Sequence, residues 1–198
     1  MVNFFNHLNV IYKFMAIFYH GSPRLFSQFD LTHSLEGDGK NKFGYGIYVT
    51  SSYKSAAHYA GVNTSATNYY VYTLNVPEKT EDNHIAFKQP VSKQIISLAE
   101  CKLQQTIPTS AISDGKLFRK FLATSLGSES AASSFLLTIG VELICWPYSW
   151  RNLMLGDNMA VLNEKKIKIL KIEEVLLDEK KRLIEGSEKL VINNAINQ

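Results

Sequence analysis

Nineteen residues, Lys42 to Ala60 (KFGYGIYVTSSYKSAAHYA), constrain this chain more than any other stretch. Gly44 and Gly46 permit positive φ or close approach of the backbone to a bound group. The run Ile47-Tyr48-Val49-Thr50 is β-branched and aromatic, which predicts a strand. Ser51 or Ser52 can then cap an alanine-rich helix that carries Tyr59. Tyr48 and Tyr59 stand eleven residues apart, one on the strand and one on the helix. Two phenol rings so placed can face each other across a flat gap. Such a slot suits a planar aromatic ligand, because stacking adds roughly 0.5–1.5 kcal/mol per ring beyond area burial. The plain alternative is a pair of core tyrosines.

The rest of the composition frames that choice. With 198 residues, 45% of them hydrophobic and 20% charged, the chain reads as one folded domain rather than a disordered segment. A net charge of +3 permits an acidic or nucleic-acid partner without requiring one. Cys101 and Cys145 lie in no metal-ligand spacing and read as reduced structural thiols, so no metal is expected. The longest apolar run, Phe4 to Phe18, is broken by Asn6, His7, Asn9 and Lys13, which excludes a membrane span of about 20 residues. It also lacks the basic start and unbroken apolar core of a secretory signal. Met15 is an alternative start, and residues 1–14 are expected to be an N-terminal extension.

Along the chain, Ala16 to His20 predicts a strand ending at His20-Gly21-Ser22, with Pro23 as its stop. Residues 24–42 read as a polar loop with a short extended piece at Leu25 to Phe29, and Gly61 as the end of the helix. Asn68 to Val76 predicts a strand, and residues 77–90 a polar loop. Helical spacing predicts three helices in the middle third, Val91 to Gln105, Leu117 to Leu126 and Ser130 to Ile139. Val141 to Trp146, Asn158 to Leu162 and Ile167 to Ile172 predict late strands. Residues 15–175 are the expected domain, and residues 176–198 a charged helical tail. The fold class is α+β.

Three pieces together resemble the ADP-ribosyltransferase superfamily, in the branch shared by diphtheria-type toxins and poly(ADP-ribose) polymerases. They are Tyr19-His20-Gly21-Ser22, Phe43-Gly44-x-Gly46-Ile47-Tyr48 with Lys54-Ser55-Ala56-Ala57-His58-Tyr59, and Asp157-Asn158-Met159-Ala160-Val161-Leu162. The resemblance covers about residues 16–172 and is similar to bacterial and phage-type relatives in its closing half. It implies a split β-sandwich of two small, mostly antiparallel sheets with an NAD cleft between them and a helical middle segment.

It further implies transfer of ADP-ribose from NAD to an acceptor. Tyr48 and Tyr59 would sandwich the nicotinamide, the Gly21 backbone would hold the carboxamide, and His20 would meet the adenine-side ribose, with Ser22 and Gly46 beside them. The family's carboxamide serine, three residues before the second tyrosine, is Ala56 here, with Ser55 one step earlier. The family's catalytic glutamate aligns with Asn158, which keeps an acceptor oxygen but no charge; Asp157 and Glu142 are neighbouring carboxylates that could substitute. The expected activity is mono-ADP-ribosylation of a protein or nucleic acid by a toxin- or effector-like protein, cytoplasmic or delivered into a target cell. The alternative is a silent module that binds NAD or ADP-ribose. Tyr148, Trp150 and Arg151 form a candidate recognition turn.

Overall fold

The computed structural model describes residues 15–33, 43–149 and 156–194. Strand β1 (Met15–Ser22) is followed by β2 (Ile47–Thr50), helix α1 (Tyr53–Gly61), β3 (Tyr69–Pro77) and the short β4 (His84–Ala86). A helical segment then holds α2 (Lys93–Leu103), α3 (Thr109–Ile112), α4 (Gly115–Leu126) and α5 (Glu129–Thr138). Strands β5 (Leu143–Pro147), β6 (Asp157–Val161), β7 (Lys168–Val175) and β8 (Lys189–Asn193) complete the chain.

The helices begin where side chains can satisfy free backbone donors. Ser52, Ser92, Asp114 and Ser128 each accept the N–H three residues on, opening α1, α2, α4 and α5. Gln104 at φ 54° and Gly127 at φ 87° turn the chain left-handed and end α2 and α4.

The strands form one sheet in the order β4-β5-β6-β2-β1-β3-β7-β8, antiparallel except for the parallel pair β4–β5. The two sheets expected from the resemblance are therefore one here, but it is pinched in the middle. Strands β1 and β3 pair along eight residues, whereas β1 and β2 pair only at Tyr19↔Thr50. Four strands lie on each side of that point.

Directly opposed residues share a sheet face, so the registers assign the faces. One face carries helices on both halves, with α1 over β1, β3 and β7 through Ala56, Ala57, Ala60, Val71 and Val175. The helical segment packs over the other half through Ile95, Phe118, Leu122, Leu136, Ile144 and Ala160. The opposite face carries a single apolar cluster from both halves, including Phe18, Val49, Leu74, Met159 and Ile172.

Three expectations are corrected. The tail is not helical: β7 runs on through Glu173 and Glu174 to Val175, and the chain returns as β8. Its lysines and glutamates favour a helix, but Asp178 accepts the Arg182 N–H at 2.8 Å, Lys181 adopts φ 59° and Gly186 φ 80°, which makes a hairpin. Residues 77–90 are not all loop, because Ile85 is buried in the parallel strand β4. No strand forms at Leu25 to Phe29, which is irregular and precedes a 3-10 turn at Leu31–His33. The proposed extension 1–14, together with Trp150 and Arg151, lies outside the described residues.

Candidate active site

The pinch is where the motif residues meet. Were antiparallel pairing to continue beyond Tyr19↔Thr50, Gly21 would stand opposite Tyr48. Instead the His20 Nδ1–H donates to the Tyr48 carbonyl at 2.8 Å. The imidazole lies on the sheet face opposite the Tyr48 ring, edge-on to Phe29 at 5.1 Å and near Phe26 and Tyr72. That surrounding desolvates it and lowers its pKa, with the Tyr48 carbonyl opposing the shift. The ring is therefore neutral near pH 7, with Nε2 as its acceptor. Ser22 is buried on this same face, its Oγ accepting from the Arg24 N–H at 3.0 Å.

Tyr48 projects to the helix-bearing face. Its hydroxyl donates to the Gly44 carbonyl at 2.9 Å and accepts from the Phe43 N–H at 3.1 Å, which fixes the ring. Trp146 meets that ring edge-on at 5.3 Å and stacks on Phe43 at 4.1 Å. Gly44 takes φ 108°, and a Cβ there would come within 2.5 Å of Ile144 Cδ1. At Gly46 a Cβ would lie 2.8 Å from the Val161 carbonyl oxygen, so its bareness lets β2 approach β6. Behind this loop the buried Arg119 pairs with Glu129 and lies 5.6 Å over the Phe87 ring. Ser133 Oγ accepts from the Tyr45 N–H at 3.0 Å.

Asn158 lies opposite both Thr50 and Trp146, on the same sheet face as Tyr48. The two candidate substitutes for a carboxylate there lie elsewhere. Asp157 belongs to the opposite face by strand alternation and pairs with Lys79. Glu142 precedes β5 at its far end and pairs with Lys166.

Helix α1 forms the other wall. A Cβ on Gly21 would lie 1.8 Å from the Ala56 carbonyl oxygen, so the missing side chain at Gly21 is first of all a seat for this helix. On one flank Tyr53 donates to Glu173 in β7 at 3.0 Å. The opposite flank carries Ser55 and, one turn on, Tyr59. Ser55 Oγ lies 2.7 Å from the Tyr148 hydroxyl just past β5, so this flank faces the β2–β6–β5 half. Tyr59 is 62% exposed and its ring contact is His58, not Tyr48. It is not a core residue.

The registers put Gly21, Tyr48 and Asn158 on the helix-bearing face, over which α1 carries Ser55 and Tyr59, and the His20 and Ser22 side chains on the other. Trp146, Thr50 and the Ser55–Tyr148 link were missed as site features from sequence. Only strand register reveals the first two. Among the described residues no group of three or more acidic, histidine or cysteine side chains could hold a metal, and no helix is long and apolar enough to cross a membrane.

No curated protein matches the chain. Residues 15–123 match the family model described as ADP-ribosyltransferase in polyvalent proteins, a span that includes His20, Gly21, Tyr48 and Tyr59 and ends before Asn158. More than half of the chain lies inside that match, and the chain belongs to this ADP-ribosyltransferase family.

Proposed function

We propose that the protein is an NAD-dependent mono-ADP-ribosyltransferase whose cleft lies at the pinch between β1 and β2. The observation that carries this reading is Tyr59, a 62% exposed aromatic ring on α1, one turn on from Ser55, whose hydroxyl meets Tyr148 just past β5. A large aromatic ring left exposed, with a second ring held fixed on the strand, is what a stacking ligand needs. Tyr48 and Tyr59 would hold the nicotinamide, and the Gly21 backbone its carboxamide. Neutral His20 would accept from a ribose hydroxyl through Nε2.

In the reaction the bond from nicotinamide nitrogen to ribose carbon breaks, and the acceptor's nucleophile bonds to that carbon and gives up its proton. Positive charge builds on the ribose in between. Asn158 can accept from the ribose 2′-hydroxyl, but it supplies no charge. Missing electrostatic stabilisation of this kind typically costs about 10²–10³ in rate, so slow transfer to one acceptor fits better than chain growth. The acceptor would be a protein or nucleic acid, in the cytoplasm or in a cell into which the protein is delivered. A second reading, a module that binds NAD without turnover, is favoured by the pairing of Asp157 and Glu142 with lysines.

Nicotinamide release from labelled NAD tests the proposal. Wild type should release it slowly, Tyr59→Ala about two- to tenfold more slowly, given loss of a stacked aromatic contact, and Asn158→Glu faster. Equal release by wild type and Tyr59→Ala would refute the site. Tight NAD binding without release in any variant selects the second reading.

A further inference from the structure

The Tyr48 ring is pinned by a carbonyl of its own loop, so whatever fixes that carbonyl decides where the ring stands. The carbonyl is that of Gly44, which accepts from the Tyr48 hydroxyl at 2.9 Å. The same peptide group continues as the N–H of Tyr45, which donates to Ser133 Oγ at 3.0 Å. A peptide unit is planar and rigid. One plane is thus gripped from both sides, by the phenol of Tyr48 and by a serine 88 positions beyond Tyr45.

Ser133 is 3% exposed, and α5 carries it there. One turn before it, Glu129 pairs with Arg119 of α4, and Ser128 caps α5 by accepting the Ala131 N–H. Gly44 makes the approach possible, because Ser133 Oγ and Arg119 Cδ lie only 3.7 and 3.6 Å from where a Cβ would stand. At its other end Tyr45 is tied by its ring hydroxyl, which donates to the Leu31 carbonyl at 2.7 Å. Without the Ser133 hydroxyl, Tyr45 therefore keeps its place while its amide plane is free to turn. A glycine on one side of that plane offers little steric resistance. Turning would carry the Gly44 carbonyl off the Tyr48 hydroxyl.

We propose that Ser133 is a positioning residue for the nicotinamide slot, holding the Gly44–Tyr45 peptide in the orientation that pins the Tyr48 ring. This rests on the reading of Tyr48 as a stacking wall. A ring fixed before the ligand arrives spares binding the cost of ordering it. The helical segment thereby takes part in the site, although α5 lies beyond the residues that match the family.

The test compares NAD with ADP-ribose, which has no nicotinamide, by calorimetry on the full chain. Ser133→Ala should weaken NAD about two- to tenfold, the size of one lost neutral hydrogen bond, and leave ADP-ribose within about twofold of wild type. Tyr48→Phe has no hydroxyl to pin, so adding Ser133→Ala to it should change NAD affinity by less than about twofold. Ser133→Cys, a weaker acceptor of similar size, should fall between wild type and Ser133→Ala. Ser134→Ala, exposed on the same helix, should match wild type. Amide hydrogen exchange at Tyr45 should quicken in Ser133→Ala while the paired β1 and β3 amides keep their protection. Equal losses for both ligands, no loss, or an undiminished effect in the Tyr48→Phe background would each overturn the inference while leaving the NAD cleft standing. A wild type that binds neither ligand would remove both.

Discussion

Gly21→Ala separates two explanations of a glycine in the first motif. If Gly21 only let a carboxamide approach its backbone, alanine would spare the fold and harm binding. The structure predicts damage to the fold itself. A Cβ would sit 1.8 Å from the Ala56 carbonyl oxygen and 2.9 Å from the Ala60 nitrogen, about 1.6 Å short of ordinary contact with the first. Both obstacles are backbone of α1, so no rotamer change relieves them.

Overpacking typically costs 1–3 kcal/mol, and an obstacle made of helix backbone places this one at about 3 kcal/mol or more. For a domain of this size that is a fall in Tm of about 6–12 °C. Gly127→Ala is the comparison, because Gly127 has φ 87° but nothing within 4 Å of the position a methyl would take. It should lose only about 1 kcal/mol, from backbone conformation alone. Thermal and urea unfolding read both. A Gly21→Ala protein within about 2 °C of wild type would show that α1 is not seated on β1 as described, and the placing of Ser55 and Tyr59 would fall with it.

Two further outcomes follow from buried charge. His20 has a folded pKa below its ordinary value of about 6.5. As pH falls below about 6.5 the unfolded chain takes up a proton that the folded chain resists, so stability should decline there and be unaffected by His20 above it. Urea midpoints between pH 7.5 and 5.5 should fall more steeply for wild type than for His20→Gln; equal slopes would sink the argument. Glu129→Gln removes the carboxylate paired with buried Arg119. A fully buried broken pair costs 3–5 kcal/mol, and because the Glu129 side chain is 35% exposed the expected loss is about 2 kcal/mol by urea unfolding. An unchanged midpoint would show that Arg119 is compensated by other groups.

Local chemistry made much of this legible in the sequence. The Ser52 cap, the β-branched run of β2 and the spacing of the middle helices each depend on neighbours within a few residues. What failed depended on distant ones. Ile85 lies in a strand because it pairs with Ile144 in β5, 59 positions away in the chain, and nothing in residues 77–90 signals that. The tail's composition favours a helix, yet Leu190 and Ile192 are held opposite Glu173 and Ile172 in β7, and strand pairing outweighs propensity. At the site, His20, Gly21, Tyr48, Tyr59 and Asn158 stood out because a resemblance names them. Trp146 became visible only through its register with Asn158, and Tyr148 only through its contact with Ser55.

The geometry also explains why a histidine beside a glycine goes with the strand tyrosine. A sheet that stops pairing midway leaves backbone carbonyls without ladder partners, and a buried acceptor left unmet costs about 1–3 kcal/mol. The His20 ring meets one of them, the Tyr48 carbonyl, so the two strands can part beyond Tyr19↔Thr50 with that carbonyl still bonded. Gly21, one residue on, then admits α1 close to the opened edge. Because His20 commits its Nδ1–H to this bond and is kept neutral by its aromatic surroundings, Nε2 can act only as an acceptor. A ribose hydroxyl is a suitable donor for it, whereas a phosphate oxygen, which has no proton to give near neutral pH, is not. The first two motifs are thus one structural device: the bond that keeps the pinch open also sets what kind of group the histidine can receive.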